Sequence, residues 1–591
     1  MTAIMQNNET VKKKLAGNAL SGMAATSIYL VTRLLLTPFI LSYLTLTEFG
    51  LWSLCFIILS YASMGGFGVN STYIRYTARY RAENKKEEIS RLLSTGIAYM
   101  LTFCIIFCTV LIISMPLVHR IFRIAVEEQA AASAIFTGTA IVFSLELILG
   151  GFRFIIAGMH EIAKEKQIAV IAGLVEVIAI IILLLWGSGI MGLLYAYALR
   201  VILETTSYRK YAKKLIPELR ISTKLVNRDH LKLFFIFGGK VQVLGAGGIF
   251  LTALDRLFVT AGLGLAAGGM LEIGRKLPFT AKKVAESAFG PFLPAASHIE
   301  ATWEKEVQNA PTARMLAYGN IALLMFAIGL TPLLFLPSVA QQLPFPAIPA
   351  AILSALAAIA LFLMLRSKQR HEEQLAKGEL RQLYLNGLRY TNLISTTIFA
   401  FLAASADSLI FAWVGPQYHD AVIIMICLTI AYAFQLATGP ANMIFRGIDR
   451  NGREFEYMIM QLVLLLLWLP AAIASYALTG AAAALAAGSA TSALCFFWRS
   501  NYTFQITFAE IIRHTLIPSL APIGPAALVY TATTIFPAEN RLAAITTITL
   551  CGTLYLLLTV AILWFIALTQ DEKQKAGALF RLFPISTSRK T

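Results

Sequence analysis

The residues in this sequence that could do chemistry are ionisable side chains lying inside long apolar runs. The densest set is Glu272, Arg275, Lys276, Lys282, Lys283 and Glu286. A charge in the middle of a bilayer costs about 3 kcal/mol on insertion scales and is kept where it faces water, a partner or a cavity. At about 100° per residue all six share one helix face about 120° wide, with four cations against two anions. Pro278 removes a backbone donor midway and favours a kink. Two readings fit this face. It lines a cavity that binds an anion, or Glu272 and Glu286 neutralise it through i,i+3 and i,i+4 pairs.

Other apolar runs hold further charges. Arg33 lies on a polar stripe with Asn18, Gly22, Thr26, Tyr29 and Thr37. That stripe predicts a water-facing surface, although a lone arginine near a helix end also snorkels. Lys240, Arg256 and Arg389 are single cations, open to ligand contact, to ion pairing or to snorkelling. Glu146, Glu176, Asp255 and the Arg200/Glu204 pair are candidates for proton or sodium coupling, with interhelical salt bridges as the alternative. Asp255 points about 100° away from Arg256 on a helix, which predicts a partner on another helix.

The remaining chemistry is narrow. All seven histidines sit in loops or at run ends, and no outward loop exceeds about 15 residues, so neither a general base nor a catalytic face is expected. There is no GxxxxGK[ST] phosphate loop, which leaves an ion, the membrane potential or the substrate's own gradient as energy source. Six cysteines without a CxxC lead us to expect no disulfide, no metal site and no cofactor.

The elements that position these charges follow from composition. With 58% hydrophobic and 14% charged residues over 591 positions, the chain is excluded from the water-soluble class. One bilayer crossing takes about 20 apolar residues. Runs near 15–43, 48–70, 92–116, 130–153, 167–187, 189–208, 233–261, 265–296, 315–337, 346–365, 386–413, 420–445, 455–476, 478–498, 515–533 and 542–568 predict an all-α, polytopic membrane protein of about sixteen spans. If the N-terminus is cytoplasmic, the cytoplasmic loops and termini carry 37 of 49 Lys and Arg. The outward loops then carry three, Arg120, Arg123 and Arg541. This asymmetry places both termini in the cytoplasm. The net charge of +17 then favours anionic lipid headgroups and implies no nucleic acid partner.

A weak internal echo organises the spans. Ile40–Trp52 resembles Phe258–Met270 at an offset of 218, and Gly96–Tyr99 resembles Gly387–Tyr390 at an offset of 291. The widening predicts a two-helix insertion at 313–378. The expected organisation is an N-lobe over 1–212, a basic linker over 213–230, the start of a C-lobe over 231–312, the insertion, the rest of the C-lobe over 379–505, and a C-terminal helix pair with tail over 506–591.

Read together, Leu46-Thr47-Glu48-Phe49-Gly50-Leu51-Trp52, then Gly68 and Tyr73-Ile74-Arg75-Tyr76, then Asp255-Arg256-Leu257, Trp413-Val414-Gly415-Pro416-Gln417-Tyr418 and Phe445-Arg446-Gly447 resemble the polysaccharide transporter family. This family holds the bacterial O-antigen flippases, within the multidrug, oligosaccharidyl-lipid and polysaccharide exporter superfamily. The resemblance covers roughly 1–300 and 380–570. The sequence departs from the family pattern at Met64-Gly65-Gly66-Phe67-Gly68, which has no acidic residue, and in its span count. The resemblance implies a fourteen-helix core of two six-helix lobes across a central cavity plus two C-terminal helices, working by alternating access.

The expected function is a non-enzymatic flippase of the bacterial inner membrane. It would move a polyprenyl-diphosphate-linked oligosaccharide for surface polysaccharide such as lipopolysaccharide, among membrane lipids and glycan polymerase or assembly proteins. Arg33, Lys240, Arg256, Arg275, Lys276, Lys282, Lys283 and Arg389 would form its cationic cavity. The alternatives are an organic-cation (multidrug) antiporter and a non-transporting scaffold for glycan assembly.

Overall fold

In a bilayer every backbone polar group has to be bonded within its own segment, so these Leu-, Ile- and Ala-rich runs form helices. The computed structural model describes residues 28–302 and 378–574, apart from residues 29, 67, 287, 288, 290, 291, 451 and 571. Among them there is no strand. The expected insertion at 313–378, with its spans 315–337 and 346–365, falls almost wholly outside the described residues.

The first part of the chain forms α1 (Leu30–Leu41), α2 (Leu46–Ala62), α3 (Val69–Ala82), α4 (Lys86–Ile113), α5 (Met115–Ile121) and α6 (Gln129–Leu149). It continues through α7 (Gly151–Gly158), α8 (Ile162–Leu185), α9 (Gly189–Leu215), α10 (Arg228–Leu233), α11 (Gly239–Leu263), α12 (Leu265–Glu286) and α13 (Phe292–Thr302). The second part has α14 (Glu379–Ala404) and α15 (Ala406–Trp413), bent by 69° at their junction, then α16 (Ala421–Ala437) and α17 (Gly439–Gly447). It closes with α18 (Gly452–Thr503), the broken helix α19 (Phe508–Ile535) and α20 (Arg541–Ile562).

Eight of the described helices are long and apolar enough to cross a bilayer, nine with the bent pair α14–α15. Every expected span outside the insertion coincides with helix where it is described. The protein is an all-α, multi-pass membrane protein. The 52-residue α18 is two helices joined at Tyr476 and Ala477, where Ala477 takes φ +48°. That break falls between the expected spans 455–476 and 478–498.

The chain divides into two compact units. The first holds the residues up to Lys276 together with Ala472–Ala481, and the second holds the rest, so the division falls inside α12.

The motifs behind the family resemblance have local physical causes. Thr45 and Glu48 form a capping box at the start of α2: the Thr45 hydroxyl accepts from the Glu48 amide, and the Glu48 carboxylate accepts from the Thr45 amide at 2.8 Å. One turn on, Gly50 lets α2 cross α12 backbone to backbone. A Cβ on Gly50 would lie 1.9 Å from the Leu265 carbonyl oxygen, and one on Gly269 would lie 2.7 Å from that of Leu46. Small residues at such crossings bring helices together where lipid supplies no hydrophobic drive. Tyr73 is buried in the core of unit 1 with Leu92, Leu93, Phe152 and Phe234, and its hydroxyl donates to the Leu93 carbonyl. In unit 2, Phe504 stacks with Phe445 and with Tyr384 in the corresponding core.

Candidate functional site

Unit 1 gathers its membrane-embedded charges into two linked networks. In the first, Glu176 on α8 accepts from Arg33 on α1, and lies 3.3 Å from Nε of Arg200 on α9. Arg200 also reaches Glu146 on α6 and, one turn along its own helix, Glu204, both at 3.2 Å. Tyr197 donates to Glu146 at 3.0 Å, and its ring lies 5.1 Å from the Arg200 guanidinium. Glu176 and Glu204 are buried. Below this cluster Arg153 on α7 pairs with buried Glu165 on α8.

The second network joins α11 to α12. Asp255 and Arg275 pair at 2.7 Å with both side chains buried, and Arg275 donates a further hydrogen bond to the Thr252 carbonyl. Arg256, the next residue on α11, turns instead to Glu272 at 3.4 Å. Consecutive residues thus find opposite partners on α12 because helical geometry separates them by about 100°. Lys276 sits with its ammonium 5.9 Å from the Phe49 ring of α2, within electrostatic range of Glu272, Arg33 and Arg256. The Gly50–Gly269 crossing brings α2 close enough for that contact.

Among the described side chains of these two networks, Arg33, Arg200, Arg256, Arg275 and Lys276 stand against Glu146, Glu176, Glu204, Asp255 and Glu272. Of the cations expected from the sequence, Arg33, Arg256 and Arg275 are therefore met by carboxylates of neighbouring helices. What distinguishes them is how firmly each is held. Arg275 is 5% exposed, whereas the Arg33 side chain is 24% exposed and shares its carboxylate with Arg200. Lys240 lies in the first turn of α11, and its side chain is outside those described.

Lys282, Lys283 and Arg389 belong to unit 2. Lys282 donates to Gln435 on α16 at 2.5 Å, lies 5.0 Å from the Tyr432 ring centre and 3.5 Å from Glu286. Gln435 in turn donates to Ser489 on α18, which also accepts from Gln461. Lys283 is 44% exposed and pairs with Glu286. The internal pairing considered for this face therefore occurs at Glu286, while Glu272 goes to α11. Arg389 makes a two-pronged contact with Glu572 at 2.9 and 3.0 Å and donates to the His514 carbonyl. Gln435, Gln461 and Ser489 escaped the sequence reading. The available signal was the two amides inside otherwise apolar spans, which need partners there.

Against solved structures, the chain aligns with the lipid II flippase MurJ in an inward closed conformation at a TM-score of 0.61 and 12% identity, over 92% of this chain and 98% of that one. The chain shares the fold of this solved structure. A multidrug resistance MATE family transporter of the MOP superfamily, inward-facing, aligns at 0.52 and 13% identity over 83% of this chain and 94% of its own. A MATE in complex with MaD3S gives 0.51 and 12% identity over 84% and 96%. No protein-family model and no curated protein matches the sequence. Chemically, unit 1 sets guanidinium and ammonium donors, which can hold an anion, beside carboxylates, which can hold a cation.

Proposed function

We propose that this protein is a flippase that moves a polyprenyl-diphosphate-linked oligosaccharide from the cytoplasmic to the outer leaflet of a bacterial inner membrane. The observation that carries this reading is the half-buried, shared hold on Arg33 beside Lys276 and Arg256 in unit 1. A diphosphate crossing a low-dielectric core needs compensating cations. Arginine offers it a planar two-pronged donor and lysine a compact mobile charge. Glu176 accepts from Arg33 as a phosphate oxygen would, so the headgroup can exchange with a carboxylate and leave no bare charge at either end of the cycle. The lipid tail stays in the bilayer while the headgroup passes.

A second reading, a multidrug or organic-cation antiporter, is favoured by one feature: Glu146, Glu176 and Glu204 surround Arg200. Vesicles containing the purified protein separate the two. The flippase reading expects movement of a labelled polyprenyl-diphosphate oligosaccharide and no efflux of an organic-cation dye. Dye efflux without lipid movement overturns it in favour of the antiporter, and neither activity with an assembly-protein pull-down favours a scaffold.

A further inference from the structure

Cations are scarce on the side of the chain away from the basic loops, and two of the three expected there fall in one place. α5 follows α4, whose N-terminal Lys86 pairs with Glu218 of the basic linker. The 28 residues of α4 put α5 about 42 Å away, at the opposite end of unit 1. There His119, Arg120 and Arg123 line a cavity of about 480 Å³ together with Pro116, Ile124 and Gln129.

The chain builds this cavity with a tight reversal. After α5 the Ile124 amide donates to the His119 carbonyl and Arg123 takes φ +51°, so Arg120 and Arg123 come to line the same concavity. Gln129 closes the loop by donating to the Ile124 carbonyl. The Ser133 hydroxyl donates to the Gln129 carbonyl at 2.7 Å, so at 3.0 Å it accepts from His119 Nε2. The imidazole is thereby fixed in orientation. Neither arginine forms an ion pair within 4 Å among the described residues, Glu127 and Glu128 of the same loop included.

Next to the cations stand apolar side chains that face outward. Ile113, Leu117, Ile121 and Val126 are 74%, 56%, 45% and 78% exposed. Cations in a concavity bordered by exposed aliphatic groups complement a phosphate attached to an acyl or prenyl chain, which would lie along them.

We propose that this cavity binds the phosphate of a lipid headgroup in the outer leaflet. That group is the headgroup of a delivered prenyl-diphosphate lipid or that of a resident anionic phospholipid; the shared chemistry is a lipid phosphate. The site is separate from the charge networks of α1, α8, α11 and α12.

The test uses the full-length protein in nanodiscs containing a phosphatidic acid with a diazirine in its acyl chain, with cross-links mapped by peptide mass spectrometry. Labelling is expected at 113–126, and it should fall about tenfold in Arg120→Gln/Arg123→Gln, the loss of charged hydrogen-bond donors. Arg120→Lys/Arg123→Lys should keep most of it. Arg541→Gln, which removes the third outward cation, should keep all of it. Farnesyl diphosphate displacing the label better than phosphatidylglycerol points to the delivered lipid, and equal displacement to resident phospholipid. Labelling unchanged in the double Gln variant, equal loss in Arg541→Gln, or displacement by inorganic phosphate as efficient as by either lipid overturns the proposal.

Discussion

Arg275 on α12 and Asp255 on α11 form an ion pair at 2.7 Å with 5% and 6% of their side chains exposed. Removing one partner strands the other charge in a low-dielectric interior. Arg275→Gln should therefore destabilise unit 1 by about 3–5 kcal/mol, whereas replacing both by apolar residues of similar volume, Arg275→Met with Asp255→Leu, should restore most of the loss. Thermal unfolding in detergent, followed by size-exclusion chromatography, checks both variants. It also follows that loss of transport in Arg275→Gln alone carries no information about substrate contact.

Arg33 behaves differently because Glu176 divides its acceptor between Arg33 and Arg200. If a phosphate exchanges with Glu176, Arg33→Gln weakens binding of a prenyl diphosphate by about tenfold. Glu176→Gln, which removes the competing charge, strengthens it by a similar factor, each shift being one charged hydrogen bond. Calorimetric titration with farnesyl diphosphate reads both. Equal weakening by the two variants would show that Glu176 positions Arg33 and does not compete for it.

The contact of Arg389 with Glu572 ties α14 to the segment after α20. Glu572 also caps its own turn by accepting from the Thr569 amide, and these contacts hold its carboxyl below the ordinary range against the opposing effect of burial. Glu572→Gln should lower the unfolding temperature and open the C-terminal segment to limited proteolysis. Arg389→Lys should give an intermediate effect, since one ammonium replaces a two-pronged guanidinium.

The stretch between α9 and α10 is strapped onto α4. Ser90, Ser94 and Thr95 hydroxyls accept from the Arg220, Ser222 and Asn227 amides, and buried His230 meets the Tyr80 hydroxyl and Glu88, both at 3.3 Å. Burial pushes the His230 imidazole below its ordinary value of 6.5; Glu88 opposes this, Arg91 adds to it and Asp229 opposes it. The undocked chain therefore takes up the proton first. Docking is fully present above about pH 6.5 and is lost as pH falls through the lowered docked value. Hydrogen exchange over 216–233 should speed up across that window, and His230→Gln should flatten the dependence.

The span pattern was legible in the sequence because a 20-residue apolar run has one stable outcome in a bilayer. The α18 break was legible too, since the apolar stretch over 455–498 is about two crossings long. The pairing of the charges was not. Asp255 and Arg275 are 20 residues apart and Arg33 and Glu176 143 apart, so charges counted on one helix find partners on helices that periodicity cannot bring together. Nor does periodicity show that Gly50 and Gly269 meet, a contact that sets the depth of Lys276 beside Phe49. Glu572 was hidden because it lies past the last apolar run and pairs with Arg389 across 183 residues.

On the proposed flippase reading, unit 1 offers exchangeable cations to a diphosphate. Transbilayer movement of a labelled polyprenyl-diphosphate oligosaccharide in vesicles tests it most directly, comparing the wild type with Arg33→Gln/Lys276→Gln at matched unfolding temperature. Movement is expected in the wild type, and its loss in the folded variant. Movement at the wild-type rate in that variant would contradict it.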